Sequence, residues 1–425
     1  MATTAETPQS GFRLGMLIYD TRYRSITIQI VVVLLCMAAA AWLIDNLFSN
    51  LADRGKDLSF SFLWNRAGYD INQTLIPYSN DDTHFRALLV GLVNTILVSV
   101  LGCIAATIIG VFVGVLRLSS NWLVARLMTV YVEIFRNVPV LLWILVAFAV
   151  FTEVTPQPRD FKVTDQMVAE GTEPAASMIL FDSVAVTNRG TFIPKALYER
   201  SLGEIKIGFL PISLNTVAIL AVIAASIFAF RRIRKNASDV QDRTGLRPST
   251  WWMELLVLFV PLLALLIALG FHLERPTLGG FNFTGGILVL NSFMALWLGL
   301  TLYTAAFIGE IVRAGIAAIS KGQSEAAAAL GLRPRRTMSL VILPQALRVI
   351  IPPLISQYLN LTKNSSLAIA VSYMDLRGTL GGITLNQTGR ELECMLLLML
   401  IYLVISLMIS GGMNVYNNSV KLKER

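Results

Sequence analysis

Long and nearly uncharged apolar stretches dominate this chain, and short polar segments separate them. A transmembrane helix needs about 20 largely apolar residues. Such stretches occur at 26–44, 87–116, 130–151, 212–230, 252–271, 289–312, 349–371 and 394–411. The seventh is the least apolar, because prolines 352–353 and the polar run 360–366 interrupt it. The pattern therefore predicts an all-α polytopic membrane protein with about eight transmembrane helices.

The composition argues against a soluble enzyme. Hydrophobic residues make up 55% of the 425 residues and charged residues only 15%, whereas soluble domains carry about 25% charged residues. Cys36, Cys103 and Cys394 lie within apolar stretches or at their edge, so no disulfide framework is indicated. His84 and His272 stand alone in the sequence, and no metal-ligand spacing surrounds them. We expect neither a catalytic nor a metal centre.

Lysine and arginine concentrate in alternate loops, which predicts the orientation of the chain. Cytoplasmic loops of membrane proteins are enriched in these residues. With eight helices, one side receives every dense basic segment: Arg13, Arg22 and Arg24; Arg117 and Arg126; 231–235; 321–348; and 421–425. The other side receives 45–86, 152–211, 272–288 and 372–393. Both termini are therefore predicted to be cytoplasmic, and the net charge of +8 is explained by orientation without a nucleic-acid partner.

The N-terminal stretch allows a second interpretation. Basic residues within 13–24, an apolar run and small residues at 38–41 resemble a secretory signal with a cleavage site. The apolar run continues through residues 42–44, which favours an uncleaved first helix.

The predicted outside loop 152–211 is too long to be a simple connection between two helices. It mixes acidic and basic residues, and loops longer than about 15 residues are usually functional or folded. We expect it to form a small external cap or arm. The basic inside segment 231–249 is better explained as a topology anchor than as a binding site.

The predicted cytoplasmic loop 320–344 begins with a helix signal. Ser320 with Gln323, or Ser324 before Glu325, can cap a helix start. A negative charge at Glu325 is predicted to lie in the first turn, where it complements the helix dipole. The alanines that follow are strong helix formers with little side-chain bulk.

The same loop then carries stop signals. Gly331 supplies a left-handed residue after the helix, and Pro334 prevents continuation. A second short helix is expected to start near Thr337 and to be limited by Pro344. A small alanine-faced helix of this kind can dock in a groove of another protein, or it can lie on the membrane surface.

The loop also matches the EAA motif of ABC-importer permeases, E-A-A-x(3)-G-x(9)-I-x-L-P. The matching residues are Glu325, Ala326, Ala327, Gly331, Val341, Leu343 and Pro344, with valine in place of the usual isoleucine. Segments resembling the polar amino-acid permease family are 91–95, 131–139, 306–316, 322–323 and 363–367. The resemblance covers roughly 87–151 and 289–410, and the combination of motifs is specific.

The resemblance implies a five-helix core of the type I ABC-importer permease, with insertions. Residues 1–86 would hold an extra first helix and an outside loop, and 87–151 the first core helices. Residues 152–288 would be an insertion with an outside loop and two helices. Residues 289–425 would hold the remaining core helices and the coupling loop 320–344. This long layout resembles the first permease subunits of general L-amino-acid transporters.

By the same resemblance, we expect a permease subunit that moves L-amino acids across the bacterial inner membrane. Its expected partners are a second, similar permease, two cytoplasmic ATPase subunits, a periplasmic amino-acid-binding protein and membrane lipids. The sequence lacks the phosphate loop G-x(4)-G-K-[ST]. We therefore expect no catalysis and no cofactor in this chain, with ATP used by the ATPase subunits.

Two rival functions remain open at this point. A secondary transporter driven by an ion gradient would favour acidic residues at mid-membrane, for which Glu310 is a weak candidate. A non-transporting scaffold or receptor would leave the polar stretch around Lys363 unexplained.

Two Glu-x-x-Arg pairs lie near the predicted inner ends of helices. Glu133 with Arg136, and Glu310 with Arg313, are each spaced to share a helix face and to neutralise each other in part. They are interpreted either as interfacial anchors or inter-helix packing contacts, or as inner-gate elements that contact the coupling loop.

Lys363 lies in the seventh apolar stretch beside Asn364, Ser365 and Ser366. A lysine within the membrane is costly unless it faces water or a partner. These four residues are therefore a candidate substrate path, in which the ammonium meets the carboxylate of an amino acid. The alternatives are an ion pair with the second subunit and a position in the outer leaflet.

Overall fold

The computed structural model describes residues 15–53, 55, 57–163, 173–207 and 210–420. The basic residues Arg13 and 421–425 lie outside the described residues, as does part of loop 152–211. The chain divides into two compact units, with the boundary between Phe62 and Leu63.

The first unit consists mainly of one long apolar helix. A short helix, α1 (Met16–Tyr19), precedes α2 (Thr21–Asp53). None of the residues in the most apolar part of α2 is buried. An apolar helix with all its backbone groups bonded internally suits a lipid environment. The first predicted transmembrane helix is present and extends beyond 26–44 at both ends.

The second unit contains the remaining α-helices of the described residues. The α-helices are α3 (His84–Leu116), α4 (Trp122–Asn137), α5 (Val140–Ala149), α6 (Leu214–Thr244), α7 (Trp251–Ala268), α8 (Asn291–Ala317), α9 (Lys321–Ala329), α10 (Pro334–Thr337), α11 (Leu343–Asn364), α12 (Leu376–Gly378), α13 (Leu385–Thr388) and α14 (Glu391–Val420). Turns of 3₁₀-helix span Ser61–Trp64, Pro158–Phe161 and Ser365–Val371, and π-helical turns span Val150–Val154, Met338–Ile342 and Thr379–Thr384.

The count of membrane-crossing helices agrees with the prediction of about eight. Among the described residues, seven helices are long and apolar enough to cross a membrane, or eight if the bent pair α4–α5 is one span. The fold is therefore that of an all-α polytopic membrane protein in its membrane-spanning part.

The third predicted transmembrane helix, 130–151, is wrong as a continuous element. The axes of α4 and α5 differ by 104°, and Val138 between them is extended, with φ −110° and ψ 134°. A proline disfavours the helical conformation of the residue before it and has no N–H to donate. Pro139 therefore breaks the helix, although the apolar pattern runs through the break.

Nine short strands occur in the described parts of the two predicted outside loops, where the all-α prediction placed none. They are β1 (Ala185–Thr187), β2 (Gly190–Ile193), β3 (Lys195–Tyr198), β4 (Glu204–Ile207), β5 (Leu210–Ser213), β6 (Phe271–Glu274), β7 (Thr277–Gly279), β8 (Asn282–Thr284) and β9 (Ile287–Val289). The antiparallel pairings are β1–β2–β9, β3–β6, β4–β5 and β7–β8. Because β2 and β3 pair with strands of the later loop, the two loops fold together as a strand-rich insert. That this insert is an external cap stays a prediction.

Close packing of α3 against α8 forms the centre of the second unit. A Cβ on Gly110 would lie 2.6 Å from the Ile308 Cβ, and one on Gly114 would lie 2.6 Å from the Gly309 carbonyl oxygen. Glycine is therefore needed at both positions so that the two backbones can approach. The buried residues around this contact include Leu296, Leu300, Ile308, Ala346 and Leu361.

Contacts at the two ends of α3 agree with the predicted separation of loops into two sides. In the third to fourth turn of α3, Asn94 Nδ2 donates to the carbonyl oxygens of Gln73 at 2.9 Å and Met374 at 2.8 Å, both in predicted outside segments. Just past its end, Arg117 contacts Glu310, near a predicted inside loop. Which side is cytoplasmic stays a prediction.

Candidate functional site

The coupling loop starts with a regular helix. Ser320 occupies the N-cap position of α9, but its side chain makes no capping hydrogen bond. The Gln323 N–H donates to the Ser320 backbone carbonyl oxygen at 3.1 Å. The sequence predicted Glu325 in the first turn of the helix, and this is wrong. Because α9 begins at Lys321, Glu325 lies in the second turn.

The end of α9 is a Schellman motif. Gly331 has φ +74°, the left-handed conformation that the sequence predicted. Its N–H donates to the Ala328 carbonyl oxygen at 2.9 Å, and the Leu332 N–H donates to that of Ala327 at 3.1 Å. These two bonds satisfy carbonyl groups that a helix end otherwise leaves free. Glycine fits here because an L side chain is strained at this φ.

The second half of the loop differs from the expected short helix. Pro334 is the first residue of α10, where its missing N–H has no helical acceptor. The prediction that Pro344 limits this helix is wrong: the chain passes through the π-helical turn Met338–Ile342 into α11, with Pro344 in its first turn. The wider π-helical turn and the position of Pro344 at a helix start together accommodate the proline ring.

One side of α9 is exposed, and the other packs against neighbouring segments of the permease. Glu325 and Ala326 are exposed, whereas Ala327 is buried. Gln345 Nε2 donates to Gln323 Oε1 at 3.2 Å, which ties α9 to α11. The helix also packs against the π-helical turn. The EAA residues therefore form a short surface helix braced at its base.

A cluster of one carboxylate and three guanidinium groups joins α3, α4 and α8. Glu310 accepts from Arg313 Nη2 at 2.6 Å and from Arg117 Nη1, and Arg136 Nη1 lies 4.0 Å from Glu310 Oε2. The Arg117 side chain is only 8% exposed. The Arg136 guanidinium lies 5.4 Å from the ring centre of Phe307. This cluster ties three helices together.

The predicted pair of Glu133 with Arg136 does not form within the described part of the chain. Glu133 Oε2 instead accepts from Asn137 Nδ2 at 3.3 Å on its own helix, and Arg136 turns towards Glu310. The pair Glu310–Arg313 forms as predicted.

The polar run at the end of α11 separates into an exposed and a buried part. Lys363 is exposed in the last turn of α11, and Asn364 and Ser366 are partly buried. Ser365 is fully buried, and its hydroxyl donates to the Thr362 carbonyl oxygen at 2.7 Å. Lys363 is therefore the member of this group that faces away from its own chain.

Asp375 forms a buried anchor that sequence reasoning missed. It is fully buried at the N-cap of α12. Oδ1 accepts from the Gly378 N–H at 2.7 Å, and Oδ2 accepts from the Tyr402 hydroxyl at 3.3 Å. The neighbouring Leu376 N–H donates to Thr95 Oγ1 at 3.0 Å. The segment that connects α11 to α14 is therefore fixed in place. It is hydrogen-bonded to α3 through Thr95 and to α14 through Tyr402.

Comparison with known proteins places the chain in a family. Residues 248–421 match the family described as "Binding-protein-dependent transport system inner membrane component". The glutamate/glutamine/aspartate/asparagine transport system permease protein of Rhodobacter capsulatus is 68% identical over the whole length of both chains. The general L-amino acid transport system permease protein of Rhizobium johnstonii is 43% identical over 98% of this chain and 97% of its own. The chain belongs to the amino-acid permeases of ABC importers.

A shorter relative matches less than half of this permease. The probable glutamine ABC transporter permease protein of Bacillus subtilis is 38% identical over 181 residues, which are 42% of this chain and 79% of its own.

The permease is a multi-pass protein of the inner membrane, and its family implies ATPase and substrate-binding partners. The rival interpretation as an ion-gradient-driven transporter is not favoured.

Asp375 and Arg117 were not predicted as site residues, and only Asp375 carries a recognisable sequence signal. Aspartate is a preferred N-cap residue, so the cap at Asp375 could have been considered from the sequence. Arg117 was interpreted only as one of the basic loop residues that predict the orientation of the chain in the membrane. Nothing in the sequence links it to Glu310, 193 positions away. The roles of the EAA residues and of the Lys363 group stay predictions.

We predict a pH-dependent stability that Asp375→Asn removes. Burial raises the pKa of the Asp375 carboxyl to about 6, from an ordinary value of 3.8, although the Gly378 N–H and the Tyr402 hydroxyl oppose the shift. Between these values the folded permease binds a proton that the unfolded chain does not, so stability rises as the pH falls through 6. Asparagine keeps the N-cap acceptor and does not titrate.

Thermal unfolding of both proteins in nanodiscs at pH 7.5 and pH 5 tests this. The wild type should gain about 1 kcal/mol relative to Asp375→Asn on acidification. An identical pH response of the two proteins would contradict the prediction. Other titrating groups are common to both and cancel.

Proposed function

We propose that this permease couples ATP-driven movements of its ATPase partners to amino-acid import through the loop 320–344. The observation that carries the proposal is the exposed face of α9, with Glu325 and Ala326 outward and the Schellman motif at Gly331 closing the helix. A small exposed helix with defined ends can enter a cleft of another protein with little loss of conformational entropy.

The loop is connected to the transmembrane helices by two short routes. Only residues 318–320 separate α8 from α9, and the hydrogen bond between Gln323 and Gln345 links α9 to α11. A displacement of α9 by an ATPase would therefore reach both helices. Alternating access would follow from their movement.

The partners and orientation belong to the same proposal. We expect a second, similar permease, two ATPase subunits and one substrate-binding protein, with both termini of this chain in the cytoplasm. The chain would hold no cofactor, and ATP would bind only to the ATPase subunits. The native mass of the purified complex checks this composition.

The substrates are expected to be L-amino acids, with acidic amino acids and their amides first. This rests on the relative with 68% identity, whose name specifies glutamate, glutamine, aspartate and asparagine. Uptake of each labelled compound by cells that express the whole transporter distinguishes this set from a general amino-acid range.

Gly331→Asp should uncouple uptake from ATP hydrolysis. The substitution strains a left-handed residue and places a negative charge at the C-terminal end of α9. An added Cβ meets nothing within 4 Å in this chain. The substitution should therefore disturb the contact of α9 with the ATPase cleft and not the packing of the permease itself. We expect amino-acid uptake to fall at least about tenfold at normal surface levels.

Gly322→Ala is the matched control for this measurement. Gly322 lies in the same loop, without a positive φ, and the nearest atom to an added Cβ is the Ser320 Oγ at 3.9 Å. Its uptake and ATPase activity should stay near the wild type. Full stimulation of ATPase and normal uptake by Gly331→Asp would show that the loop is not the coupling element.

Lys363 is proposed to line the substrate path. Its exposed ammonium on a membrane-spanning segment requires water or a charged partner, and a substrate carboxylate supplies one. Asn364 and Ser366, which are partly buried beside it, offer further hydrogen-bonding groups.

Lys363→Met should reduce uptake, whereas Lys363→Arg should retain part of it because the charge remains. The loss of one charge-assisted hydrogen bond corresponds to about tenfold or more in transport rate at limiting substrate. The measurement is uptake at matched surface levels. Unchanged uptake by the methionine variant would remove Lys363 from the path.

The Glu310 cluster is proposed as an element of the inner gate. It links α8, which leads directly into the coupling loop, to α3 and α4 through Arg117 and Arg136. Because three cations share one carboxylate, loss of that carboxylate leaves the cations to repel one another.

Glu310→Gln should raise the ATPase rate in the absence of binding protein several-fold and lower stability by about 2 kcal/mol. Glu133→Gln is the control, because Glu133 bonds only to Asn137 among the described residues, and it should change neither quantity. A loss of stability without any change in basal ATPase would mean that the cluster is structural and not a gate.

A further inference from the structure

The membrane-spanning helix α6 has one buried side and one exposed side. Ser226 and Ala237 are buried, and at 3.6 residues per turn they lie about 20° apart around the helix axis. Near this side, Arg234 Nε donates to Glu254 Oε2 of α7 at 3.2 Å. These residues mark the side by which α6 packs on its own chain.

The opposite side of α6 is apolar along its membrane part. Val217, Leu220, Ala224 and Phe228 follow one another at spacings of three or four residues, and all four are exposed, Phe228 by 72%. Residues with this spacing share one helix face. From 217 to 228 the helix rises about 17 Å, which is close to the roughly 15 Å depth of hydrocarbon in one leaflet. The face is therefore long enough to lie along one acyl chain.

The same face ends in cations. Arg231, Arg232 and Lys235 follow Phe228 by three, four and seven residues and are exposed. None of the three forms an ion pair within the described parts of the chain. The first acidic residue of α6, Asp239, lies one turn further from the apolar part. An apolar face with unpaired cations at one end complements a molecule that has an apolar chain and an anionic head.

Two tryptophans of α7 give the depth of these cations independently. The short connection 245–250 makes α6 and α7 antiparallel. Trp251 comes three residues before Glu254, the partner of Arg234, and therefore lies about 4.5 Å further out than that ion pair. Trp251 and Trp252 are exposed, and exposed tryptophans of membrane proteins concentrate at the level of the lipid headgroups. The cations of α6 lie at this same level.

We propose that this face of α6 binds one anionic phospholipid. Arg231 and Lys235 are one turn apart, so both can contact a single phosphate, and an acyl chain lies along Phe228 and Leu220. A headgroup with net negative charge, such as phosphatidylglycerol, matches the excess of cations, whereas the ammonium of phosphatidylcholine opposes it. The basic segment 231–249, which the sequence explained as a topology anchor, thereby gains a binding role.

Lipid is a better occupant of this face than another protein subunit. In the most apolar stretches of α6 and α7, only 11% and 0% of the residues are buried, so the helix pair is open to the bilayer over most of its surface. A second permease at this face would have to present carboxylates at the membrane surface for three unpaired cations. An anionic lipid brings its phosphate to that depth without such a match.

Native mass spectrometry of the permease, purified with its native partners, tests the proposal. The protein is titrated with dioleoylphosphatidylglycerol or dioleoylphosphatidylcholine. Arg231→Gln/Lys235→Gln should weaken binding of phosphatidylglycerol about 30-fold and leave that of phosphatidylcholine unchanged. The matched control is Arg243→Gln/Arg247→Gln, which removes two positive charges from the same segment at least about 12 Å beyond Lys235 along the chain. It should bind both lipids as the wild type does.

Photocrosslinking identifies the occupant without removing any charge. With Phe228→p-benzoylphenylalanine in nanodiscs that contain equal amounts of both lipids, illumination should label phosphatidylglycerol in preference, and free glycerol phosphate should not compete. Equal labelling of the two lipids, competition by glycerol phosphate or crosslinks to another subunit would overturn the proposal. Unchanged phosphatidylglycerol binding by the Arg231/Lys235 double variant would do the same. Because no transport is measured, these outcomes are independent of the proposed function.

Discussion

The contact between α3 and α8 determines where the other functional groups of this permease can lie. Helices in lipid gain little from apolar burial, so they associate by close packing and by hydrogen bonds. Gly110 and Gly114 on α3 allow that packing, because any side chain there would overlap Ile308 or the backbone at Gly309. With the two backbones in close contact, Arg117 just past the end of α3 meets Glu310 on α8. The ion cluster is therefore a consequence of the glycine contact.

The same contact determines the position of the coupling loop. Since α9 follows α8 after residues 318–320, the loop starts at a point fixed by the helix pair. Its other end continues through a π-helical turn into α11 without a flexible break. The loop is thus held between two packed helices, and its ends are closed by hydrogen bonds of its own backbone. A helix held in this way can transmit a displacement, whereas a loose one would absorb it.

At the other end of α3, the chain uses buried polar groups to hold irregular backbone. Asn94 and Thr95 bond to backbone groups of Met374 and Leu376, and Asp375 caps the short helix that follows. Backbone that leaves the helical pattern near a membrane must have its N–H and C=O groups satisfied by the protein. These side chains make the hydrogen bonds that the backbone groups require. One of them, the Asp375 carboxyl group, is fully buried as a result.

The sequence by itself determined the membrane class, the approximate number of helices, the EAA loop and the left-handed Gly331, because apolar runs, caps and glycine preferences act over a few residues. It did not reveal the 104° bend at Pro139, since the apolar pattern continues through it. It also did not reveal the strands, of which β2 and β3 pair with β9 and β6, about 75 to 100 residues further along the chain. Only the tertiary structure decided that Arg136 turns from Glu133 to Glu310 and that Asp375 is buried. Partners of a charged or polar side chain depend on which helices pack together, and that packing is a property of the whole chain.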